Sequence, residues 1–309
     1  MSGEFLLEIG TEEIPATFVT GALEWLENQF AHSLNANRID HGTIRTYATP
    51  RRMVLHAQDV AVMQADIQVE KTGPPAASAF DEHGNPTKAA LGFAKSQGVN
   101  IEALVIVQTS KGKQVAVRKT EAGRPTIEIL PDIVPDLLEK MPFPKTMRWM
   151  DLDVRFARPI HWIVALLDGE IVPFRYGNIK SGDVSTGHRF IGPRTFQVSS
   201  FEDLKQKLGL QGIILDPAER REEITNQVAE LATSIGLRIF DDPKLLDEIN
   251  FLVESPRALM GEFSETFLDL PASILITCMK KHQRYFALQD ENGRISNKFI
   301  AINNTLVRD

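Results

Sequence analysis

The chain has 309 residues, a formal net charge of −7 and 43% hydrophobic residues, which predicts about two packed domains and excludes a disordered protein or an unselective nucleic-acid coat. No apolar run approaches the ~20 residues of a membrane span, and the N-terminus lacks the pattern of a secretory signal peptide. One cysteine, Cys278, excludes an internal disulfide and fits a reducing compartment, so we expect a cytoplasmic protein without membrane attachment.

The chain is predicted to begin with a strand at Phe5–Ile9, and an amphipathic helix follows Pro15. Glu12 and Glu13 are expected in the first turn of that helix, because acids there favour the positive end of its dipole. Adjacent residues on a helix point in different directions, which disfavours the two acids as a catalytic pair. A second strand is predicted over Met53–Val62.

Residues 70–140 are expected to form a small inserted α/β unit, because proline-rich segments bound them at both ends. Helical periodicity and turn residues predict its elements. They are helices at Lys88–Gln97 and Ile127–Lys140, with a hairpin at Lys111-Gly112-Lys113 between them.

The second half is predicted to open with a strand over Phe156–Leu167 that turns at Asp168-Gly169. The clearest helix begins after Asp216, an N-cap residue placed before a proline, and stops at Gly236. A last helix and a strand pair are expected at Pro271–Met279, Tyr285–Leu288 and Lys298–Ile302.

The irregular order of these elements predicts an α+β fold with small antiparallel sheets rather than a regular βαβ winding. Residues 1–69 and 141–200 are expected to form an N-terminal α/β body around the insertion. Residues 201–309 are expected to form a separate α+β module.

Motifs for chemistry are missing from the sequence. It contains no P-loop, no G-x-G-x-x-G and no G-x-S-x-G, so nucleotide binding and nucleophile-elbow hydrolysis have no support. None of the seven histidines pairs with another at the i, i+4 spacing of a helical metal site. Cys278 is expected to be a small core or near-core residue rather than a nucleophile. We therefore expect no catalytic residue, no metal ligand and no cofactor in this chain.

Positive charge is concentrated between Pro142 and Arg194, where eight Lys or Arg residues stand against five acids. A basic island on an acidic chain indicates selective contact with a polyanion. In the run T-G-H-R-F, Gly187 permits a tight turn that presents His188 and Arg189 together. These two residues are therefore predicted to be an exposed contact.

For the other basic runs, the sequence is compatible with both a ligand contact and a structural role. Arg148 and Trp149 are suited to bind a phosphate and stack a base, or to form a surface strand with the tryptophan buried. Arg158 shares a strand face with apolar residues, which favours an internal ion pair over a ligand contact. The run from Lys280 to Arg284 fits either cations at a helix C-terminus or an RNA-backbone contact with aromatic support.

Seven motifs, spread from one end of the chain to the other, resemble the β subunit of bacterial glycyl-tRNA synthetases. They are L-L-E-I-G-T-E-E-I-P at Leu6–Pro15, T-P-R-R at Thr49–Arg52, the G-P-P…A-F-D segment at Gly73–Asp81, P-K-T-M-R-W at Pro144–Trp149, R-F-A-R-P-I-H-W at Arg155–Trp162, T-G-H-R-F at Thr186–Phe190 and K-H-Q-R-Y-F at Lys281–Phe286.

The resemblance implies a class II aminoacyl-tRNA synthetase of α2β2 composition, in which the α subunit holds glycine, ATP and Mg²⁺. The β subunit of that family supports assembly and binds tRNA. The implied partners are the α subunit, tRNA(Gly) and a second β chain. The resemblance also implies an N-terminal portion without the family's HD-type and anticodon-binding domains. Part of it is expected to be similar to the B3/B4-type module of the phenylalanyl-tRNA synthetase β subunit.

On this resemblance, the basic motif residues become candidate contacts for tRNA or the α subunit. They are Arg51, Arg52, Lys145, Arg148, Arg155, Arg158, His188, Arg189, Lys281, His282 and Arg284. One alternative is a purely architectural module, whose motifs form core and interface. Another is an editing-like aminoacyl-tRNA hydrolase, which is less favoured because glycine has no smaller rival to edit. The isolated chain is expected to be inactive.

Overall fold

The structure, a computed structural model, describes residues 2–191 and 194–305. It divides into two compact units. The larger unit comprises Met1–Val62 and Thr126–Asp309, and the smaller unit is Met63–Pro125.

Helices and short strands of similar total length make up the two units. The α-helices are α1 (Ala16–Ala36), α2 (Ala76–Ala79), α3 (Lys88–Gln97), α4 (Thr126–Lys140), α5 (Phe201–Gly209), α6 (Pro217–Ser234), α7 (Pro243–Asn250) and α8 (Ala272–Cys278). The strands are β1 (Ser2–Thr11), β2 (Ile44–Thr49), β3 (Arg52–Ala61), β4 (Ile67–Pro75), β5 (Leu104–Thr109), β6 (Gly112–Glu121), β7 (Ile160–Leu167), β8 (Glu170–Ile171), β9 (Arg175–Tyr176), β10 (Ile179–Gly182), β11 (Val184–Thr186), β12 (Thr195–Gln197), β13 (Arg238–Ile239), β14 (Arg257–Glu262), β15 (Phe286–Gln289) and β16 (Ile295–Asn303). This mixture confirms the predicted α+β class.

The unit boundaries differ from the predicted ranges. The insertion expected at 70–140 would include α4, but α4 belongs to the larger unit. The physical reason is that the apolar face of α4 is buried in the same core as α1. Helix α4 therefore packs within the larger unit. The ranges 1–69 with 141–200 and 201–309, expected to be separate, both contribute to the larger unit.

The main sheet of the larger unit has the strand order β2-β3-β1-β7-β10-β9, and β8 pairs with β7. Its neighbours are antiparallel except for β7 and β10. Along β1, Phe5, Leu7 and Ile9 pack into a core with α1 and α4, whereas Leu6 packs into a second core with α5. Because side chains alternate along a strand, a run that is apolar at every position belongs to a strand buried on both faces.

The strand predicted over Phe156–Leu167 begins later, at Ile160. Pro159 cannot donate a ladder hydrogen bond, and the segment before it forms an isolated bridge between Met147 and Phe156. The predicted turn at Asp168-Gly169 is confirmed, since Leu167 pairs with Glu170 across it.

A smaller sheet of the larger unit, β13-β15-β16-β14, packs against α6 and α7. The predicted start of α6 is confirmed, because the Asp216 carboxylate accepts a hydrogen bond of 2.7 Å from the Ala218 N–H. Gly236 has a φ of 73°, as a glycine that ends a helix requires. The predicted strand pair also forms, as β15 and β16.

The smaller unit is a sheet of order β4-β6-β5 packed against α3. Its predicted hairpin is confirmed by the pairing of Thr109 with Gly112. Within the described ranges of both units, helices that combine the length and the apolarity of a membrane span are absent.

Candidate functional site

A polar cluster lies on the α5 face of the main sheet, where β1, β3 and β7 are neighbours. Gly10 is paired with Arg52 on one side and with Trp162 on the other. The Trp162 ring covers Gly10 so closely that a Cβ there would lie 1.9 Å from a ring carbon. The guanidinium carbons of Arg51 and Arg52 lie 5.9 and 5.5 Å from the centre of this ring, within the range of cation–π contacts. Gly10 is thus needed for the ring to reach both arginines.

Arg52 is fully buried and committed to two internal carboxylates. Its Nη1 donates to Glu8 Oε1 at 2.8 Å, and its Nε donates to Glu254 Oε1 at 3.3 Å. Thr49 Oγ1 also donates to Glu254 Oε1, at 2.6 Å. Burial acts to raise the pKa of Glu254, but the charge of Arg52, the Thr49 hydrogen bond and Arg51 together hold that pKa below its ordinary value. Arg52, which was predicted to contact a partner, is therefore an internal residue. Its ion pairs connect the segment after α7 with β1 and β3.

Arg51 is the neighbour of Arg52 in sequence but lacks comparable partners. It lies in the turn between β2 and β3 and is only 9% exposed. Its Nε and Nη1 are buried and have no hydrogen-bond partner among the described residues. Burial lowers the pKa of Arg51, with further lowering by the charges of Arg189 and Arg52 and opposition from Glu254 and Glu12.

His188 is buried, with 2% of its surface exposed, so its predicted exposure is wrong. Its backbone N–H donates to Gln211 Oε1 at 3.1 Å. A Cβ on Gly187 would lie 1.9 Å from that same oxygen, which shows that the glycine is required for the close approach of Gln211 rather than for presenting the loop to solvent. Gln211, in the turn after α5, therefore helps to keep His188 buried.

Arg189 is exposed and pairs with the two acids that precede α1. Its Nη2 lies 2.9 Å from Glu12 Oε2, and its Nη1 lies 3.4 Å from Glu13 Oε1. His161 Nε2 lies 3.0 Å from the other oxygen of Glu12. Burial acts to raise the pKa of Glu12, but the charges of Arg189 and His161 and their hydrogen bonds lower it overall.

The prediction that Glu12 and Glu13 lie in the first turn of α1 is therefore wrong. Helix α1, which is described throughout, begins at Ala16 and has no acid in its first turn. The Glu12 N–H donates to the Pro159 carbonyl at 3.2 Å, which ties the residue after β1 to the residue before β7. The acids are thereby directed at Arg189 instead of the helix dipole.

Arg158 is half-buried and bonds to backbone carbonyls. Its Nε donates to the Glu13 carbonyl at 3.1 Å, and its Nη1 donates to the Ala157 carbonyl at 3.1 Å. The internal ion pair favoured by the sequence is not found among residues 2–191 and 194–305. The strand alternation that suggested it does not apply, because β7 begins two positions later, at Ile160.

Residues 186–189 and Arg194, together with the turn before β3, line a cavity of about 260 Å³. We call it the arginine cavity. Its lining residues are Arg51, Thr186, Gly187, His188, Arg189 and Arg194.

A second group of candidate residues is exposed and forms what we call the basic patch, defined as Lys145, Arg148 and Arg155. The bridge between Met147 and Phe156 places Arg148 opposite Arg155 on adjacent segments. An aspartate, Asp153, lies 3.6 Å from the Arg148 guanidinium. Met150, two positions after Arg148 in the chain, is 77% exposed.

The third group lies in a π-helical turn at Met279–Gln283, directly after α8. Lys281 and His282 are exposed, whereas the Nε of Arg284 pairs with Glu248 at 2.8 Å. Cys278, expected in or near the core, is exposed at the end of α8. The basic side chains here are split between solvent and an ion pair with α7.

Sequence reasoning missed Arg220, which is fully buried in α6. Its guanidinium donates to four backbone carbonyls, including those of Ala48 at 2.9 Å and Asn250 at 2.8 Å. Burial lowers its pKa to about 10. A signal was present, because Arg220, Ile224 and Val228 recur at the spacing of one helix face. Over the described ranges, three or more potential metal ligands do not gather at any point.

Comparison with known proteins identifies the family to which this chain is similar. The family model described as "Glycyl-tRNA synthetase beta subunit" matches residues 5–309. Similar curated proteins carry the name "Glycine--tRNA ligase beta subunit". They include those of Syntrophotalea carbinolica, 50% identical, Geotalea uraniireducens, 48% identical, and Trichlorobacter lovleyi, 47% identical. Each match covers 100% of this chain and 45% of the relative. The chain therefore spans slightly less than half the length of these relatives.

Proposed function

The chain belongs to the glycyl-tRNA synthetase β-subunit family, and on that premise we propose that it acts as the N-terminal part of the β subunit of an α2β2 glycine–tRNA ligase. In this role it supports assembly with the α subunit and a second β chain, and it binds tRNA(Gly) for ATP-dependent glycylation. The observation that carries the proposal is the family match from residue 5 to residue 309.

The proposal assigns the chemistry to the partner chain. Glycine, ATP and Mg²⁺ would be held by a class II active site on the α subunit, and the present chain alone would be inactive. The pairing of its buried and half-buried carboxylates supports this view, since Glu8 and Glu254 bond to Arg52, and Glu12 bonds to Arg189. A neighbouring arginine favours the ionised form of a carboxylate, which makes that carboxylate a weaker proton acceptor. The proposal includes a cytoplasmic location, which suits a single cysteine.

The basic patch is the surface best suited to contact RNA. Lys145, Arg148 and Arg155 are all exposed and lie on two segments joined by one bridge. Cations of this kind neutralise phosphates and give binding that weakens steeply with salt. Their acidic neighbour Asp153 contacts only Arg148, at 3.6 Å, which is too long for a strong charge-assisted hydrogen bond.

The test is to replace the three residues of the basic patch by glutamate in the α2β2 enzyme. We expect the KM for tRNA(Gly) to rise at least about tenfold, because each lost phosphate contact removes part of the counterion-release term. A matched control replaces three other exposed cations, Arg238, Lys244 and Arg257, by glutamate. Loss of co-purification with the α subunit would instead assign the patch to assembly. An unchanged KM together with unchanged assembly would reject it.

A specific observation favours a second candidate, a purely architectural module. Several residues of the family motifs are internal, namely Glu8, Arg52 and His188. In that case the chain would bind tRNA no better than an acidic control protein. Tight RNA binding with a steep dependence on salt concentration would argue against the architectural module.

A further inference from the structure

The arginine cavity has the size and the lining of a site for a small anion. Its volume is about 260 Å³. Pockets that hold a whole organic ligand are larger, ~300–1,000 Å³. Three arginines, Arg51, Arg189 and Arg194, line it together with His188. We propose that this cavity binds a phosphate group, either as the free ion or as part of an RNA.

Arg51 provides the first argument, because it is a buried cation that no carboxylate contacts within ion-pair distance in the described ranges. It is 9% exposed, and two of its three guanidinium nitrogens are sealed from solvent without a partner among the described residues. Its neighbour Arg52 has two carboxylates at hydrogen-bond distance. Burying an unpaired charge is costly, so native structures normally supply a partner for it. An anion seated in the cavity would be that partner.

His188 provides the second argument. The Phe190 N–H lies 3.3 Å from His188 Nδ1, so Nδ1 accepts a hydrogen bond. The proton of the neutral imidazole is therefore assigned to Nε2, which makes that nitrogen a donor. Nε2 is buried and has no partner in the described part of the chain. A phosphate oxygen accepts hydrogen bonds and suits this donor.

The pattern of ion pairs around the cavity provides a third argument. Glu12 and Glu13 both pair with Arg189. Arg194 is exposed and forms no ion pair with any residue in the described ranges. Within the described ranges, neither Arg51 nor Arg194 is in an ion pair with a carboxylate. Arginine presents planar groups of N–H donors that fit phosphate oxygens, and such charge-assisted bonds are strong.

The cavity wall is also held in place before any ligand arrives. Gln211 accepts the His188 N–H at 3.1 Å, and the Gly187 N–H donates to the Arg194 carbonyl at 2.9 Å. Arg51 lies over the Trp162 ring at 5.9 Å. A wall fixed in this way loses little conformational freedom on binding, which favours affinity for a small ion.

The experiment is calorimetric titration of the chain with inorganic phosphate, against sodium chloride of equal ionic strength. We expect saturable binding of phosphate only. Arg51→Met should weaken it at least about tenfold, the ratio expected for one lost charge-assisted hydrogen bond. Arg238→Met, the same change at an exposed arginine on β13, should leave the affinity unchanged. If Arg51→Met does not fold, Arg194→Met should weaken binding, since that residue is exposed and its loss is tolerable.

Two results would overturn the site. One is the absence of saturable phosphate binding to the unchanged chain, and the other is equal affinity in the Arg51, Arg194 and Arg238 variants. Displacement of bound phosphate by tRNA would identify the occupant as an RNA phosphate, and failure of displacement would identify it as a free ion. Both of those results support the site. Because the probe is inorganic phosphate, failure here leaves the basic-patch test of the proposed function unaffected.

Discussion

Removing Arg52 should destabilise the larger unit far more than removing a surface cation. Arg52→Met keeps a flexible apolar chain in the space but leaves Glu8 and Glu254 without their shared counterion. Both carboxylates are fully buried or nearly so, with 0% and 1% of their side chains exposed. Breaking a buried pair by deleting one partner costs about 3–5 kcal/mol, mainly because a charge remains buried and unpaired. A typical domain is stable by only about 5–15 kcal/mol.

The assay is urea denaturation followed by tryptophan fluorescence. The three tryptophans, Trp25, Trp149 and Trp162, all lie in the larger unit, so their emission reports that unit alone. The matched control is Lys205→Ala. It breaks an ion pair of 2.7 Å with Glu219, but the two side chains are 37% and 53% exposed. A pair in water contributes about 0–1 kcal/mol.

The loss of unfolding free energy caused by Arg52→Met should also depend on pH. Glu254 has a lowered pKa in the folded chain, so its contribution is present above the ordinary glutamate pKa and is lost as pH falls through the folded value. In the variant, protonation of the unpaired carboxylate relieves the buried charge. The difference in unfolding free energy should therefore be largest near neutral pH and shrink in acid.

Replacing the two carboxylates as well should recover part of the lost stability. In the triple variant Arg52→Met, Glu8→Gln and Glu254→Gln, neither of these two buried side chains carries an unpaired negative charge. If Arg52→Met costs no more than the Lys205 control, or if the triple variant is no more stable than Arg52→Met, the cluster is not held by these charges.

Three further changes test local features of the larger unit by the same denaturation assay. Gly10→Ala should cost about 1–3 kcal/mol and shift the emission of Trp162, because its Cβ would lie 1.9 Å from the ring; unchanged emission would contradict the close contact. Arg220→Met should cost at least about 3 kcal/mol, since each buried acceptor left unpaired costs about 1–3 kcal/mol and four carbonyls lose their donor. Asp216→Ala should cost about 1 kcal/mol through loss of the cap to the Ala218 N–H, whereas Asp216→Asn should cost little.

Local features of the fold were predictable because their causes lie within a few residues. The Asp216 cap and the Gly236 stop of α6 follow from neighbours in the chain, and so does the hairpin turn at Asp168-Gly169. In the turn, both residues have positive φ, at 50° and 79°, which an Asp-Gly pair tolerates. The α+β class follows from the order of such elements.

The candidate contact residues were predictable as a set but not one by one. The basic patch is exposed, as its polar and charged residues indicate. His188 and Arg52 carry the same kind of side chain yet are buried. The difference arises from residues remote in sequence, since Gln211 holds His188 and Glu254 pairs with Arg52. Charge and motif alone do not distinguish a surface cation from one that is matched inside the molecule.

The sequence by itself determined part of the secondary structure, such as α6 and the Asp168-Gly169 turn, together with the α+β class and the membership of the family, because periodicity, turn residues and ordered motifs are properties of short segments. Only the tertiary structure decided which arginines are matched. Arg52 meets a carboxylate from residue 254, whereas Arg51 beside it meets none among the described residues. Ion pairing depends on distances of a few ångströms between elements far apart in the chain, and those distances exist only once the sheet and its covering loops have packed together.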